Sequence, residues 1–280
     1  FQDWTTNDDT FDKVVSPTIA GYTADKSEIP AVSGVQAKDQ DRVETVTYRK
    51  DAQKAIIRYV STNGNRVLTT DEVTGKSGEA IAYSTTSQIT EFKKQGYNLV
   101  SDEFTAGGAK VYDYDTARDQ VYTVTLSERV EPVNPDNPTP QPNTPVNPGQ
   151  PDSPRWPGTV ENLDNKESVS RTIHYVYEDG SKAKDDVVET LNFKRWSNVN
   201  LVTGHIDFQD WTTNDDTFDK VVSPTIAGYT ADKSEIPAVS GVNAKDQDRV
   251  ETVTYRKDAQ KAVIRYVSTN GNRVLTTDEV

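Results

Sequence analysis

Alternation between apolar and polar residues sets the first expectations. Ala55-Ile56-Ile57-Arg58-Tyr59-Val60 reads as a strand. Arg66 to Val73 returns as its partner after Ser61–Asn65, where Asn63-Gly64 offers the positive φ values of a type I′ turn. The period then changes. Ser and Thr at 84–87 offer N-caps, Ile89 and Phe92 fall on one face, Lys93 and Lys94 fill the last turn, and Gly96 follows, so Ser84 to Gln95 is predicted as a helix. Tyr97–Val100, Lys110–Asp113 and Val121–Leu126 read as strands. A ββαβ(β)β order in so short a span predicts an α+β fold. Its simplest packing is a small β-grasp (ubiquitin-like) module, a mixed sheet covered by one helix.

The same template recurs downstream. Ile173-His174-Tyr175-Val176 through Gly180 lines up with Ile57-Arg58-Tyr59-Val60 through Gly64, and Val250–Tyr255 lines up with Val121–Leu126. Gly228-Tyr229 stands where the first module has Gly96-Tyr97. The second module has a longer middle, Leu201–Val222, to which the pattern assigns no element. Between the modules, residues 132–157 hold 10 of the 14 prolines. Such a run excludes helix and inner strand and predicts an extended, semi-rigid polyproline spacer. Near the start, Trp4, Phe11, Val14, Val15, Ile19 and Tyr22 are core candidates punctuated by Pro17 and Gly21, and Arg42–Arg49 alternates as a strand does.

Residues 1–73 return as residues 208–280 with two differences, Gln36 against Asn243 and Ile56 against Val263. Near-identity of this kind marks a tandem array whose full repeat is longer than either module. The expected frame is then a truncated C-terminal half-module at 1–50, a complete module at 54–131, the Pro-rich linker at 132–157, a second complete module at 166–257, and the first hairpin of a truncated module at 258–280. An elongated monomer follows, with the truncated ends frayed or engaged in swapped contacts. Neither a leader nor a sorting signal is recognisable at the ends, as an internal slice of an array predicts.

Composition narrows the function classes. Charged residues make up 27% of the chain, the net charge is −13 and apolar residues are 33%. The acid excess disfavours nucleic acid and anionic membrane surfaces. No apolar run reaches the ~20 residues of a membrane span, so no membrane insertion is expected. There is no Cys, which excludes disulfides, thiolate metal sites and Cys nucleophiles, and the two His residues leave little for zinc. His174 sits on a strand and His205 in a loop, as ordinary surface histidines do. With no nucleophile–base–acid constellation and no carboxylate pair across a cleft, no enzyme is expected.

Three kinds of binding residue remain. Asp215, Asp216, Asp246 and Asp248 are oxygen-rich positions that suit calcium by residue type, although no ligand-spaced loop contains them, and no other cofactor is implied. Trp156, Trp196, Trp211, Tyr97 and Tyr229 are aromatics able to stack on a sugar; Trp211, followed by Phe218, Val221 and Val222, also suits a core position. Exposed sheet edges can accept a partner strand, and the last strand of either module is a plausible edge.

Ile57-Arg58-Tyr59-Val60 with Asn63-Gly64, Thr74-Gly75-Lys76-Ser77-Gly78-Glu79 and Gly96-Tyr97 resembles the MucBP (mucin-binding protein) domain. The larger module carrying Trp211 and Val221-Val222-Ser223-Pro224-Thr225-Ile226-Ala227-Gly228-Tyr229 resembles the long repeats of mucus-binding Mub adhesins of Gram-positive gut bacteria. The resemblance implies a secreted, extracellular, cell wall-anchored surface protein that binds mucin glycans through many weak contacts. Strand pairing with a host protein such as immunoglobulin, and a passive stalk, are the alternatives.

Overall fold

A computed structural model describes residues 3–5 and 9–280; Phe1, Gln2 and residues 6–8 of the opening repeat copy lie outside the described residues. The chain is mostly β, with one α-helix among the described residues, and that helix is far too short to cross a membrane. It divides into two compact units. The first takes residues to 131 with 140–161 and 199–206; the second takes 132–139, 162–198 and 207–280.

In the first unit, β1 (Ala52–Ser61) pairs antiparallel with β2 (Arg66–Lys76). Helix α1 (Thr86–Lys94) follows, then β3 (Tyr97–Asp102) and β4 (Gln120–Glu128). The sheet order is β2-β1-β4-β3, with β1 and β4 parallel from Ala55↔Gln120 to Ser61↔Leu126. The last strand therefore lies in the middle, bonded on both sides, and is not the edge the sequence suggested. A first and last strand that run parallel share the centre, which leaves β2 and β3 as the edges. The predicted helical face holds: α1 buries Ile89 and Phe92, and Phe92 lies 5.6 Å from the rings of both Tyr59 and Tyr97. Ala55, Ile57, Tyr59, Val124 and Leu126 are fully buried beneath it. The Tyr59 hydroxyl is 2.9 Å from that of Tyr83, which donates to Asp71, so the buried polar ends are paired.

Four local expectations change. Thr85, at the N-cap, turns its hydroxyl to Asp102 (2.6 Å) instead of capping the helix. Residues 110–113 are not a strand; Val111 makes only an isolated bridge to Ala80. The hairpin turn places positive φ on Gly64 (69°) and Asn65 (51°), one residue later than expected, because Asn63 N–H is held by Ser61 Oγ at 3.2 Å. The Pro-rich segment is not an extended rod. Residues 143–156 fold back: Asn143 N–H donates to Trp156 O (2.9 Å), Trp156 N–H to Thr144 O (3.0 Å) and Val146 N–H to Pro154 O (2.9 Å). Proline removes donors only at its own positions, while Asn143 (φ 60°) and Gly149 (φ 87°) supply the reversals.

In the second unit, β5 (Lys166–Tyr177), β6 (Lys182–Lys194), β7 (Tyr229–Ala231) and β8 (Arg249–Lys257) form a sheet in the order β6-β5-β8-β7, with β5 and β8 parallel. The strand plan of the first unit is thus repeated. The single covering helix is not: chain from Asp207 to Val242, with short pairs such as Val221–Val222 against Glu235–Ile236, supplies core residues instead. Arg171, only 1% exposed, crosses this core. It donates to Glu189 from Nε at 2.7 Å, to Pro237 O at 3.0 Å and to Asp219 O, and its guanidinium lies 5.1 Å from the Phe218 ring centre. At the sheet margin, Asp248 accepts the Ser170 N–H at 2.7 Å. That backbone bond holds its carboxyl below the ordinary aspartate value of 3.8.

The repeated sequence is seen in two environments. Phe218 is 1% exposed while Phe11 is 55% exposed, and Ile57 is 0% exposed while Ile264 is 46% exposed. Within the described residues, Val14–Val15 pairs with Glu28–Ile29 and Tyr22–Ala24 with Tyr48–Lys50. At the other end Val263–Val267 pairs with Val274–Glu279 as an exposed hairpin.

Two outcomes follow for stability. Ile57→Ala should cost about 2–5 kcal/mol in chemical denaturation, and the same change at its repeat counterpart Ile264 less than about 0.5 kcal/mol. Asp248, with its lowered folded value, stabilises above 3.8 and loses that contribution as pH falls through the folded value. The melting-temperature gap between the native chain and Asp248→Asn should be widest above about pH 5 and narrow as pH falls below 3.8.

Candidate binding site

Lys166 pairs with Lys194 at the base of the β5–β6 ladder. The loop after Trp211 is tied to it by reciprocal backbone bonds between Lys194 and Thr212 (2.9 and 2.8 Å). Thr213 Oγ1 adds a bond to Asn192 O at 2.8 Å. Between strand and loop lies a shallow groove of about 390 Å³, floored by Leu191 and Phe193 and rimmed by Thr190, Asn192, Asn214 and Asp215. That volume falls within the range of small-ligand sites. Its lining of amides, hydroxyls, the two carboxylates Glu167 and Asp215 and the two ammonium groups of Lys166 and Lys194 suits polyhydroxylated partners, each polar group able to donate or accept.

Lys166 also lines a second recess, of about 140 Å³, formed with Asn134, Pro135, Asn137, Leu163 and Asn165. Asn165 is only 8% exposed, and neither atom of its side-chain amide has a hydrogen-bond partner. A buried amide left unpaired costs about 1–3 kcal/mol, so this one calls for an explanation. Nothing in the residue order marked Asn165 or Arg171 in advance; burial alone distinguishes them.

The predicted site residues do not converge. Tyr97 is 5% exposed, edge-on to Phe92, with its hydroxyl accepting from Arg66 at 3.2 Å, and is a core residue. Trp211 is half-buried and its ring is covered: Arg195 lies 4.3 Å and Lys245 5.3 Å from its centre. Arg195 is in turn fixed to Asp164 at 2.9 Å and lies 4.0 Å from Phe208, while Lys245 bonds Asp164 at 3.0 Å. Both cations lie at cation–π distance from the ring. Tyr229 packs at 4.7 Å on Tyr177. Trp156 is half-buried in the 143–156 fold-back, and Trp196, at 43% exposure, is the most accessible of the five.

The acidic candidates accept hydrogen bonds from the chain itself, three from backbone N–H groups and Asp216 from a hydroxyl. Asp215 accepts Thr217 N–H at 2.9 Å, Asp246 accepts Asn243 N–H at 3.2 Å, Asp216 accepts the Thr217 hydroxyl at 3.0 Å, and Asp248 holds Ser170. Among the described residues no group of three acids or histidines is arranged to hold a metal ion. His174 Nδ1 lies 2.9 Å from Asp186 on the strand surface, away from any nucleophile–base arrangement.

A family model described as a Muc B2-like domain matches residues 1–52 and 160–259, and one described as a mucin binding domain matches residues 53–128. Among solved structures, Mub-RV is 26% identical, with coverage of 74% of this chain and 100% of that one, at a TM-score of 0.59. The type 2 repeat of the mucus binding protein MUB from Lactobacillus reuteri is 28% identical over 74% of this chain and 100% of that one, with a TM-score of 0.48. A MucBP domain of a Lactobacillus acidophilus protein is 37% identical over 33% of this chain and 93% of that one, with a TM-score of 0.29. No curated protein matches at the same stringency. The chain belongs to the Muc B2-like domain family, with a mucin binding domain set between its two Muc B2-like segments.

Proposed function

We propose that the chain is an adhesin repeat that binds mucin glycans at the base of the β5–β6 ladder, as one weak contact among many along an extracellular array. The observation that carries this is Asn165. Its nearly buried amide, with both ends unpaired, lines the recess that shares Lys166 with the groove rimmed by Asn192, Asn214 and Asp215, and such an unpaired amide is costly to folding. The mucin binding domain match and the printed names of the Mub relatives support the same partner class. A β-grasp description of both modules, the 54–131 and 166–257 frame, and cell-wall attachment in a Gram-positive host belong to the same reading.

The edge-strand alternative also has a specific basis. β2 is eleven residues long and bonded on one side only within its sheet, which leaves a backbone edge for an extended host-protein segment, immunoglobulin included. Glycan contact predicts that enzymatic deglycosylation of immobilised mucin abolishes binding; edge pairing predicts that binding survives it and is lost when proline is introduced into β2.

Asn165→Leu separates function from folding. The change removes an unpaired amide at similar volume, so stability should be unchanged or rise by about 1–3 kcal/mol. Mucin binding by the whole chain should weaken about tenfold, the equivalent of roughly 1.4 kcal/mol. Unchanged mucin binding in the folded variant would sink the assignment of Asn165, and binding that ignores deglycosylation would sink the glycan reading.

A further inference from the structure

We propose that the first and last strands of each module form a mechanical clamp, so that tension passing along the chain is carried through the module without unfolding it. The topology supplies the clamp. In the first unit the chain enters the four-stranded sheet at β1 and leaves it at β4, and these two strands are parallel neighbours over seven pairs, from Ala55↔Gln120 to Ser61↔Leu126. In the second unit the chain enters at β5 and leaves at β8, again parallel over seven pairs, from Arg171↔Arg249 to Tyr177↔Tyr255.

Parallel pairing decides how such a ladder fails. A pull on the chain draws the start of the first strand away from the end of the last. In a parallel pair those two points lie at opposite ends of the ladder, about 20 Å apart for seven residues. The strands must then slide past each other, and the ladder bonds share the load. In an antiparallel pair the same two points would lie side by side, and the bonds would open one after another. Each bond is modest on its own, so the number that must fail together sets the barrier.

Placement strengthens the clamp. The sheet orders β2-β1-β4-β3 and β6-β5-β8-β7 put the pair at the centre, so each clamp strand has a second neighbour and neither can be stripped from an edge. The pair is also sheltered from water, which would otherwise take over its bonds. Ala55, Ile57, Tyr59, Val124 and Leu126 are 0% exposed along the first pair, and Ile173, Tyr175, Val253 and Tyr255 are at most 1% exposed along the second. Past the last pair of the first clamp, Thr62 N–H donates to Leu126 O at 2.8 Å and adds one more bond in the same direction. The clamp is independent of which partner the modules bind.

The experiment holds the whole 280-residue chain in optical tweezers through thiol-linked handles, which the absence of native cysteine makes site-specific. Ala52→Cys with Val130→Cys loads β1 and β4 from opposite ends. Ala52→Cys with Arg118→Cys loads the same two strands from one end. All three positions are exposed, so both double variants should keep the native denaturation midpoint. At equal constant tension the opposite-end pair should unfold at least about tenfold more slowly, because several ladder bonds must fail together in the limiting step. Ser168→Cys with Lys257→Cys, against Ser168→Cys with Gln247→Cys, repeats the comparison on β5 and β8 at exposed positions, and the same order is expected. Equal rates in the two geometries, or faster unfolding of the opposite-end pair, would overturn the proposal in either module.

Discussion

The second module depends on a buried cation. Arg171 is a charge carried into the core, and a charge there is tolerated only when it is paired and its donors are satisfied. Its guanidinium draws on Glu189 from β6 and on backbone carbonyls of Asp219 and Pro237 from two separate loops. No stretch contiguous in sequence supplies that set. The irregular chain between β6 and β8 is therefore held in place by a group at the centre of the sheet, in a module that has no helix of its own to cover that sheet. The first module solves the same covering problem differently, with the apolar face of α1 and a chain of edge-on aromatic contacts, and it buries no cation.

The duplicated sequence isolates what local propensity contributes. Residues 42–50 and 249–257 are identical, so their intrinsic preference is the same. One is strand for three residues and the other for nine. The tyrosine anchor and the Lys–Glu pairs Lys13–Glu28 and Lys26–Glu44 recur in both copies as Lys220–Glu235 and Lys233–Glu251, and the parallel partner β5 is present only beside the longer strand. Strand formation here is a property of pairing, in line with the general dependence of β-structure on context.

That contrast explains what was legible in the sequence. The β1–β2 and β5–β6 hairpins, the helix with Ile89 and Phe92 inward and Gly96 after it, and the fourfold strand plan of both modules are short-range features, and alternation and turn residues report them directly. The central place of β4 was hidden because strand order depends on a parallel pairing across 65 residues, from Ala55 to Gln120. The fold-back at 143–156 was hidden because counting prolines ignores the donors left between them. Among candidate site residues, the packing of Trp211 and Tyr97 is something no residue type discloses: Arg195 and Lys245 lie against the one, and Phe92 and Arg66 against the other. Asn165 looks like any loop asparagine until its burial is known.

Charge completes the argument about how such a module binds. The chain carries a net −13, so its far field repels an acidic glycan and gives no steering towards it. Screening at physiological ionic strength removes most of that field beyond about 8 Å, and only groups at contact distance then matter. Within reach of the proposed site stand two lysines, Lys166 and Lys194, and Lys194 is already shared with Asp136 at 2.9 Å. Glu167 and Asp215 add two carboxylates, and the other contacts are neutral amides and hydroxyls, each worth about 0.5–1.5 kcal/mol net. A site built in this way is weak and slow to be found when it acts alone. In the proposed adhesin role, repetition at high effective concentration would compensate for both deficits, and a sequence that recurs with two changes in 73 residues would supply that repetition without any improvement of the single site.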